Sequence, residues 1–156
     1  MKIVSLVENT KYNELVDCIH GLSLYVETKR YKILFDVGPD DLFLQNAKKL
    51  NVDISKVDTV IISHGHSDHG GGLNCFLKNN SIAKIYIRRN AFGEYYSLAN
   101  GFEKYIGLDK SLKDNERFIF TDNELKIDDE LYLFSNITEK RFISSAGNTL
   151  MMKENL

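Results

Sequence analysis

The sequence predicts an α/β (α+β) fold, on three observations. Strand-like apolar runs recur from residue 2 to residue 144. Helical spacing of apolar residues appears between them, at 42–50 and 73–78. Thr59-Val60-Ile61-Ile62-Ser63 carries three β-branched aliphatics without alternation, as in a strand buried on both faces. Such a strand needs covering layers on either side.

The elements follow in order. Lys2–Glu8 reads as a first strand and Asn9–Gly21 as a polar loop. Leu22–Thr28 and Lys32–Phe35 are predicted to pair as a hairpin across the short Lys29-Arg30-Tyr31 turn. Asp36-Val37-Gly38-Pro39-Asp40 breaks the second of these strands. Asp40 or Asp41 can then cap a helix over Leu42–Leu50, because a carboxylate accepts the free amide donors of a first turn. After the Thr59–Ser63 strand comes a glycine-rich stretch ending at Gly72, then a short helix at Leu73–Lys78 and a strand at Ala83–Arg88. Ala91–Tyr105 is aromatic and mixed, and is expected to be helical at first and then loop. Arg117–Thr121, Leu125–Ile127, Leu131–Phe134 and Arg141–Ser144 read as short strands separated by Asp-Asn and Asp-Asp turns.

Composition narrows the function classes. The 156 residues fit one domain, 1–156, of ordinary size. Basic and acidic residues number 20 and 22, and neither half of the chain is basic, which disfavours a nucleic-acid partner. No run approaches the ~18 apolar residues of a membrane span. The first apolar run is too short for a secretory signal. Cys18 and Cys75 form no C-x-x-C pair, so neither a disulfide scaffold nor a cysteine zinc site is expected. The expectation is a cytoplasmic protein with reduced thiols.

Three of the four histidines fall within six positions: His64, His66 and His69, with Asp68 between them. Imidazole and carboxylate together suit zinc, iron or manganese. His64 and His66 are two apart, so on a continuing strand they leave on the same face and can share one ion. Asp68 and His69 lie beyond the strand end and suit a neighbouring ion. Gly65 and Gly70-Gly71-Gly72 permit the tight backbone path this demands. Two ions ~3.5–4 Å apart can hold a hydroxide and polarise a scissile bond.

Ser63–Gly71 resembles the H-x-H-x-D-H-x-G-G signature of the metallo-β-lactamase superfamily, and Asp36-Val37-Gly38 resembles its D-x-G turn. His20-Gly21-Leu22-Ser23, Ile33–Gly38 and Asp58–Leu73 together are similar to the class-II lactamase-like branch of metal-dependent hydrolases. That branch includes proteins similar to the dihydropterin ribofuranosyl-aminobenzene phosphate synthase of the methanopterin pathway. The resemblance implies an αββα sandwich with metals at one edge of two sheets. It implies His64 and His66 as ligands of a first metal, and Asp68 and His69 as ligands of a second. Asp68 would also act in catalysis by orienting the hydroxide. Asp36 would fix the histidine loop from behind its ligands.

Full members of that superfamily take further ligands from beyond the midpoint, whereas this chain has no histidine after His69 and no cysteine after Cys75. The expectation is therefore the N-terminal portion of the fold, without its usual C-terminal portion. The function implied is hydrolysis of an ester, phosphoester, lactone or amide in a small-molecule substrate, with one or two divalent ions, zinc first among them. The alternative is a truncated or degenerate non-catalytic half-fold that serves as a partner subunit or is a remnant; an incomplete fold of that kind is expected to form a homo-oligomer or to need its missing C-terminal half. His20 is a candidate for the substrate pocket, against the plainer reading of a hydrogen-bonded structural histidine.

Overall fold

The structure, a computed structural model, describes residues 1–99, 101–135, 137 and 145–153. It is a mixed α/β arrangement. A six-stranded sheet has the spatial order β1 (Lys2–Val7), β2 (Ser23–Glu27), β3 (Lys32–Phe35), β4 (Thr59–Ile62), β5 (Lys84–Arg88) and then β8 (Phe118–Thr121). The first three strands are antiparallel, and β3, β4, β5 and β8 run parallel. Between them lie the helices α1 (Leu42–Lys49), α2 (Ser67–Gly70) and α3 (Leu73–Asn79). β6 (Glu94–Ser97), β7 (Lys104–Tyr105) and β11 (Leu150–Lys153) form a three-stranded antiparallel sheet. β9 (Glu124–Lys126) and β10 (Tyr132–Phe134) form a hairpin.

The parallel strands present two different faces. Leu34, Val60, Ile62, Ile85 and Ile87 join Phe43 and Ala47 of α1 and Leu73 and Phe76 of α3 in one apolar cluster. Val60 and Ile85 are fully buried, and each such side chain contributes about 1.5–3 kcal/mol. The opposite face, with Phe35, Ile61 and Tyr86, lines a groove of about 490 Å³ roofed by Leu125, Leu133 and Phe134 of the β9–β10 hairpin. Asp128, in the hairpin turn, pins the roof in place. It accepts from the Tyr31 hydroxyl at 2.6 Å and pairs with the Arg30 guanidinium.

Several elements depart from expectation for identifiable reasons. The start of Ala91–Tyr105 is not helical. Ala91 and Phe92 are buried in a turn, and Glu94–Ser97 pairs as a strand with Leu150–Lys153, an element not anticipated. Tyr95 and Tyr96, aromatic and strand-favouring, suit that state. Asp41 occupies the N-cap of α1 without a side-chain cap bond, while Asp40 Oδ1 accepts from the Leu42 amide at 2.9 Å. The Arg141–Ser144 strand lies outside the described residues. No helix of the described residues is long and apolar enough to cross a membrane.

Candidate metal centre

Parallel strands deliver their C-terminal ends to a single edge, and the chain's histidines are deployed there. β3 ends at Phe35 and leads into Asp36, and β4 runs into Ser63 and His64. Beyond them, His66 sits in extended geometry at the N-cap of α2, which carries Asp68 and His69 in its single turn. Neighbouring segments clamp this path. Val37 N–H donates to His69 O at 2.8 Å, Leu22 N–H to Asp68 O at 3.3 Å, and Ser67 N–H to Ile106 O at 2.7 Å. A bridge between His66 and Gly107 ties the loop to the segment after β7. Only glycine fits two of the turns. A Cβ at Gly65 would stand 2.1 Å from Ala91 O, and one at Gly71 would stand 2.2 Å from Pro39 O.

The clamped loop gathers His64, Asp68 and His69, whose ligand atoms all lie within 4.8 Å of one another. His69 Nε2 stands 3.4 Å from Asp68 Oδ2. That separation matches the edge of a tetrahedron built on metal–ligand bonds of about 2.0–2.2 Å. Two imidazoles and a carboxylate so placed are a donor set that fits a divalent cation. The group takes His64 from one expected pair, and Asp68 and His69 from the other. His66 stands beside it, its ring 4.6 Å from that of His64 and edge-on to Tyr95 at 5.3 Å.

Asp36 lies directly behind these donors. It is fully buried and adopts φ 57°, a conformation that aspartate tolerates better than most residues. Its Oδ1 accepts from the Ser63 amide at 2.8 Å. Its Oδ2 accepts from the Ser63 hydroxyl at 2.7 Å and contacts His69 Nδ1 at 2.7 Å. Ser63 Oγ also lies 2.9 Å from His64 Nδ1. From the sequence alone Ser63 has no assigned part in the site; its adjacency to His64 and to the end of a buried strand was the available signal for this placement.

Electrostatics separates the rings. Burial lowers the pKa of His64, with the neighbouring His69 and His66 acting in the same direction. Burial also lowers that of His66. At His69 burial acts the same way, but the Asp36 hydrogen bond and the charges of Asp36 and Asp68 outweigh it and raise the pKa.

His20 reaches the site from the loop before β2, with Nε2 3.3 Å from Asp68 Oδ2 and a side chain 78% exposed. It lines a small open cavity with Glu8, Asn9, Leu22, Asp68 and His69. Asn9 Oδ1 accepts from Gly21 N–H at 3.1 Å, and the buried Asn46 amide donates to Leu6 O and Asp17 O, both at 2.8 Å, which anchors that loop to α1.

Comparison with known proteins agrees with this architecture. Residues 16–140 match the family model described as the metallo-beta-lactamase superfamily. An uncharacterised protein of Methanocaldococcus jannaschii is 31% identical over 128 residues, which cover 81% of this chain and 47% of that protein. The 7,8-dihydropterin-6-methyl-4-(β-D-ribofuranosyl)-aminobenzene-5′-phosphate synthase of the same organism is 37% identical over 84 residues, 50% of this chain and 29% of that enzyme. Among solved structures, Tm1679, a metal-dependent hydrolase of the β-lactamase superfamily, superposes with a TM-score of 0.75 at 29% identity. The match covers 98% of this chain and 54% of that one. The chain thus spans about half the length of these relatives or less.

Proposed function

The chain belongs to the metallo-β-lactamase superfamily, and on that premise we propose that it holds a divalent metal ion and hydrolyses a small-molecule substrate. The observation that carries this reading is the convergence of His64, Asp68 and His69 within 4.8 Å at the C-terminal edge of the parallel strands. These three side chains would hold the ion, with His66 alongside. Zinc is the first choice for a set of nitrogen and oxygen donors, and iron or manganese would also suit it. When bound, such an ion supplies Lewis acidity and lowers the pKa of its water towards ~7.

The chain's own residues do the rest. Asp68 holds and orients, its carboxylate being shared between the ion site and the His20 side. Asp36 holds the His69 ring in position. His20, exposed on the cavity wall, faces an incoming substrate. The bond broken would be an ester, phosphoester, lactone or amide. A small molecule is the partner, in place of nucleic acid, given a net charge of −2. The free thiols of Cys18 and Cys75 suit the cytoplasm.

Metal analysis by mass spectrometry on protein purified without chelator tests the reading. At least one zinc, iron or manganese per chain is expected; a metal-free protein would refute it. A second reading, a non-catalytic half-fold, draws on the incompletely buried sheet face at Phe35 and Ile61. A metal-loaded chain that hydrolyses no ester, lactone or phosphodiester, and self-associates in light scattering, would favour it.

A further inference from the structure

We infer that Ser63 relays the Asp36 carboxylate to His64, so that one buried carboxylate sets the ring tautomer of both metal-binding histidines. The inference rests on the reading of His64 and His69 as ligands.

Proton accounting carries it. A carboxylate only accepts hydrogen bonds, a hydroxyl has one proton to give, and a neutral imidazole has one N–H. Asp36 Oδ2 has two partners, Ser63 Oγ at 2.7 Å and His69 Nδ1 at 2.7 Å, and both must donate. The single Ser63 proton therefore points at Asp36. At its 2.9 Å contact with His64 Nδ1 the Ser63 oxygen can then only accept, so the proton of that bond sits on His64 Nδ1. His64 is left with its lone pair on Nε2. His69, donating directly from Nδ1, likewise keeps its lone pair on Nε2, the atom 3.4 Å from Asp68 Oδ2. Both rings thus present the same nitrogen for ligation, one through direct contact with Asp36 and the other through a hydroxyl.

The arrangement also engages the Ser63 hydroxyl on both sides. Its proton is directed to the Asp36 carboxylate, and its oxygen accepts from the His64 N–H. Ser63 is thus a positioning residue. Its amide donates to Asp36 Oδ1 and keeps the backbone in place whatever side chain it carries, and its exposed position lets the side chain change without opening a cavity.

The test uses the full chain as wild type, Ser63→Ala and Ser63→Thr. Long-range proton–nitrogen NMR correlations near pH 8 in chelator read the tautomer of each histidine, and chelator competition reads zinc affinity. In the wild type and Ser63→Thr, His64 and His69 should both carry the proton on Nδ1. In Ser63→Ala, His64 should move towards the Nε2–H tautomer while His69 stays unchanged. Zinc affinity should fall about tenfold in Ser63→Ala, the low end for loss of a ligand-orienting partner, and recover in Ser63→Thr. An unchanged His64 tautomer in Ser63→Ala overturns the relay. A changed tautomer with unchanged zinc affinity overturns its role in metal binding. A wild type that takes up no zinc defeats the ligand reading instead, while the tautomers still decide the relay.

Discussion

Asp36→Asn is the sharpest perturbation of the site, because it keeps shape and backbone while removing one acceptor. Asparagine adopts φ near +57° about as readily as aspartate, so the backbone carries little of the effect. Whichever way the amide turns, its NH2 faces at least one donor that the carboxylate had accepted: the Ser63 amide, the Ser63 hydroxyl or His69 Nδ1. Hydrogen bonds to a charged group contribute about 1.5–3 kcal/mol each. Two of these bonds share Oδ2, and the hydroxyl can rotate, so the losses do not add fully. The expected destabilisation is about 2–4 kcal/mol. For a chain of this size, that corresponds to a fall in melting temperature of roughly 5–15 °C. Zinc affinity should fall by about 10–100-fold, as for other residues that orient ligands. Thermal melts in chelator and zinc competition measure the two effects separately. Asp36→Ala should be worse by a further ~1–2 kcal/mol, the cost of forcing alanine into the left-handed region. An Asn variant that melts within ~0.5 kcal/mol of wild type and binds zinc as well would refute the claim that Asp36 holds the histidines.

Gly71→Ala should lower the melting temperature and the soluble yield. The new Cβ would lie 2.2 Å from Pro39 O and 2.5 Å from Ser67 O, backbone atoms that cannot swing aside, and overpacking costs about 1–3 kcal/mol or more; an unchanged melt would contradict the clamped-loop account. His66→Ala discriminates between two placements of the ion: zinc uptake should fall less than in His69→Ala if the ion sits in the His64–Asp68–His69 group, and by as much or more if His64 and His66 form the site. Metal-free stability should depend on pH in two opposing ways. His64 and His66, held below the usual 6.5, bind fewer protons folded than unfolded, so their contribution is lost as pH falls below ~6.5. His69, held above 6.5, contributes fully below that pH and loses its contribution as pH rises through its raised value. Melts in chelator from pH 5 to 8 should show His64→Asn flattening the acid limb and His69→Gln flattening the other; identical slopes in all three proteins would sink the assignment.

Much of the frame was legible because local pattern and tertiary role agreed. Thr59–Ile62 lies between two parallel neighbours, as its unbroken β-branched run implied. The β2–β3 hairpin and α1 fall within a residue or two of their expected bounds. Failures cluster where tertiary pairing decides the state. Glu94–Ser97 is a strand through its pairing with Lys104–Tyr105 on one side and, on the other, with Leu150–Lys153, more than fifty residues away in sequence. α2 went unseen because a four-residue helix has no period to detect. At the site, the residues that cluster could be named from the sequence, but their grouping could not. The two-residue spacing of His64 and His66 suggested a shared face only if the strand continued. Instead β4 stops at Ile62, and the tight turn through Gly65 brings His69 to within a 4.2 Å ring separation of His64.

That turn shows how the fold is coupled to the chemistry. Asp36 could not hold its strained φ unless its own backbone were fixed, and two bonds do this: its N–H donates to Ile61 O at 2.9 Å, and the buried Ser23 hydroxyl donates to its carbonyl at 2.9 Å. Both partners belong to the six-stranded sheet or its immediate extension, so the geometry of the carboxylate is inherited from the sheet. The carboxylate in turn sets the rings of His69 and, through Ser63, His64. Asp68 is held differently, through main-chain bonds on the α2 turn and a side chain open to the His20 cavity. The imidazoles are thus anchored to the sheet, while the carboxylate donor keeps an exposed partner. On this arrangement, changes at Asp36 or Ser63 should act on metal affinity, whereas changes at His20, outside the donor group, should act on what approaches the ion more than on whether the ion is held.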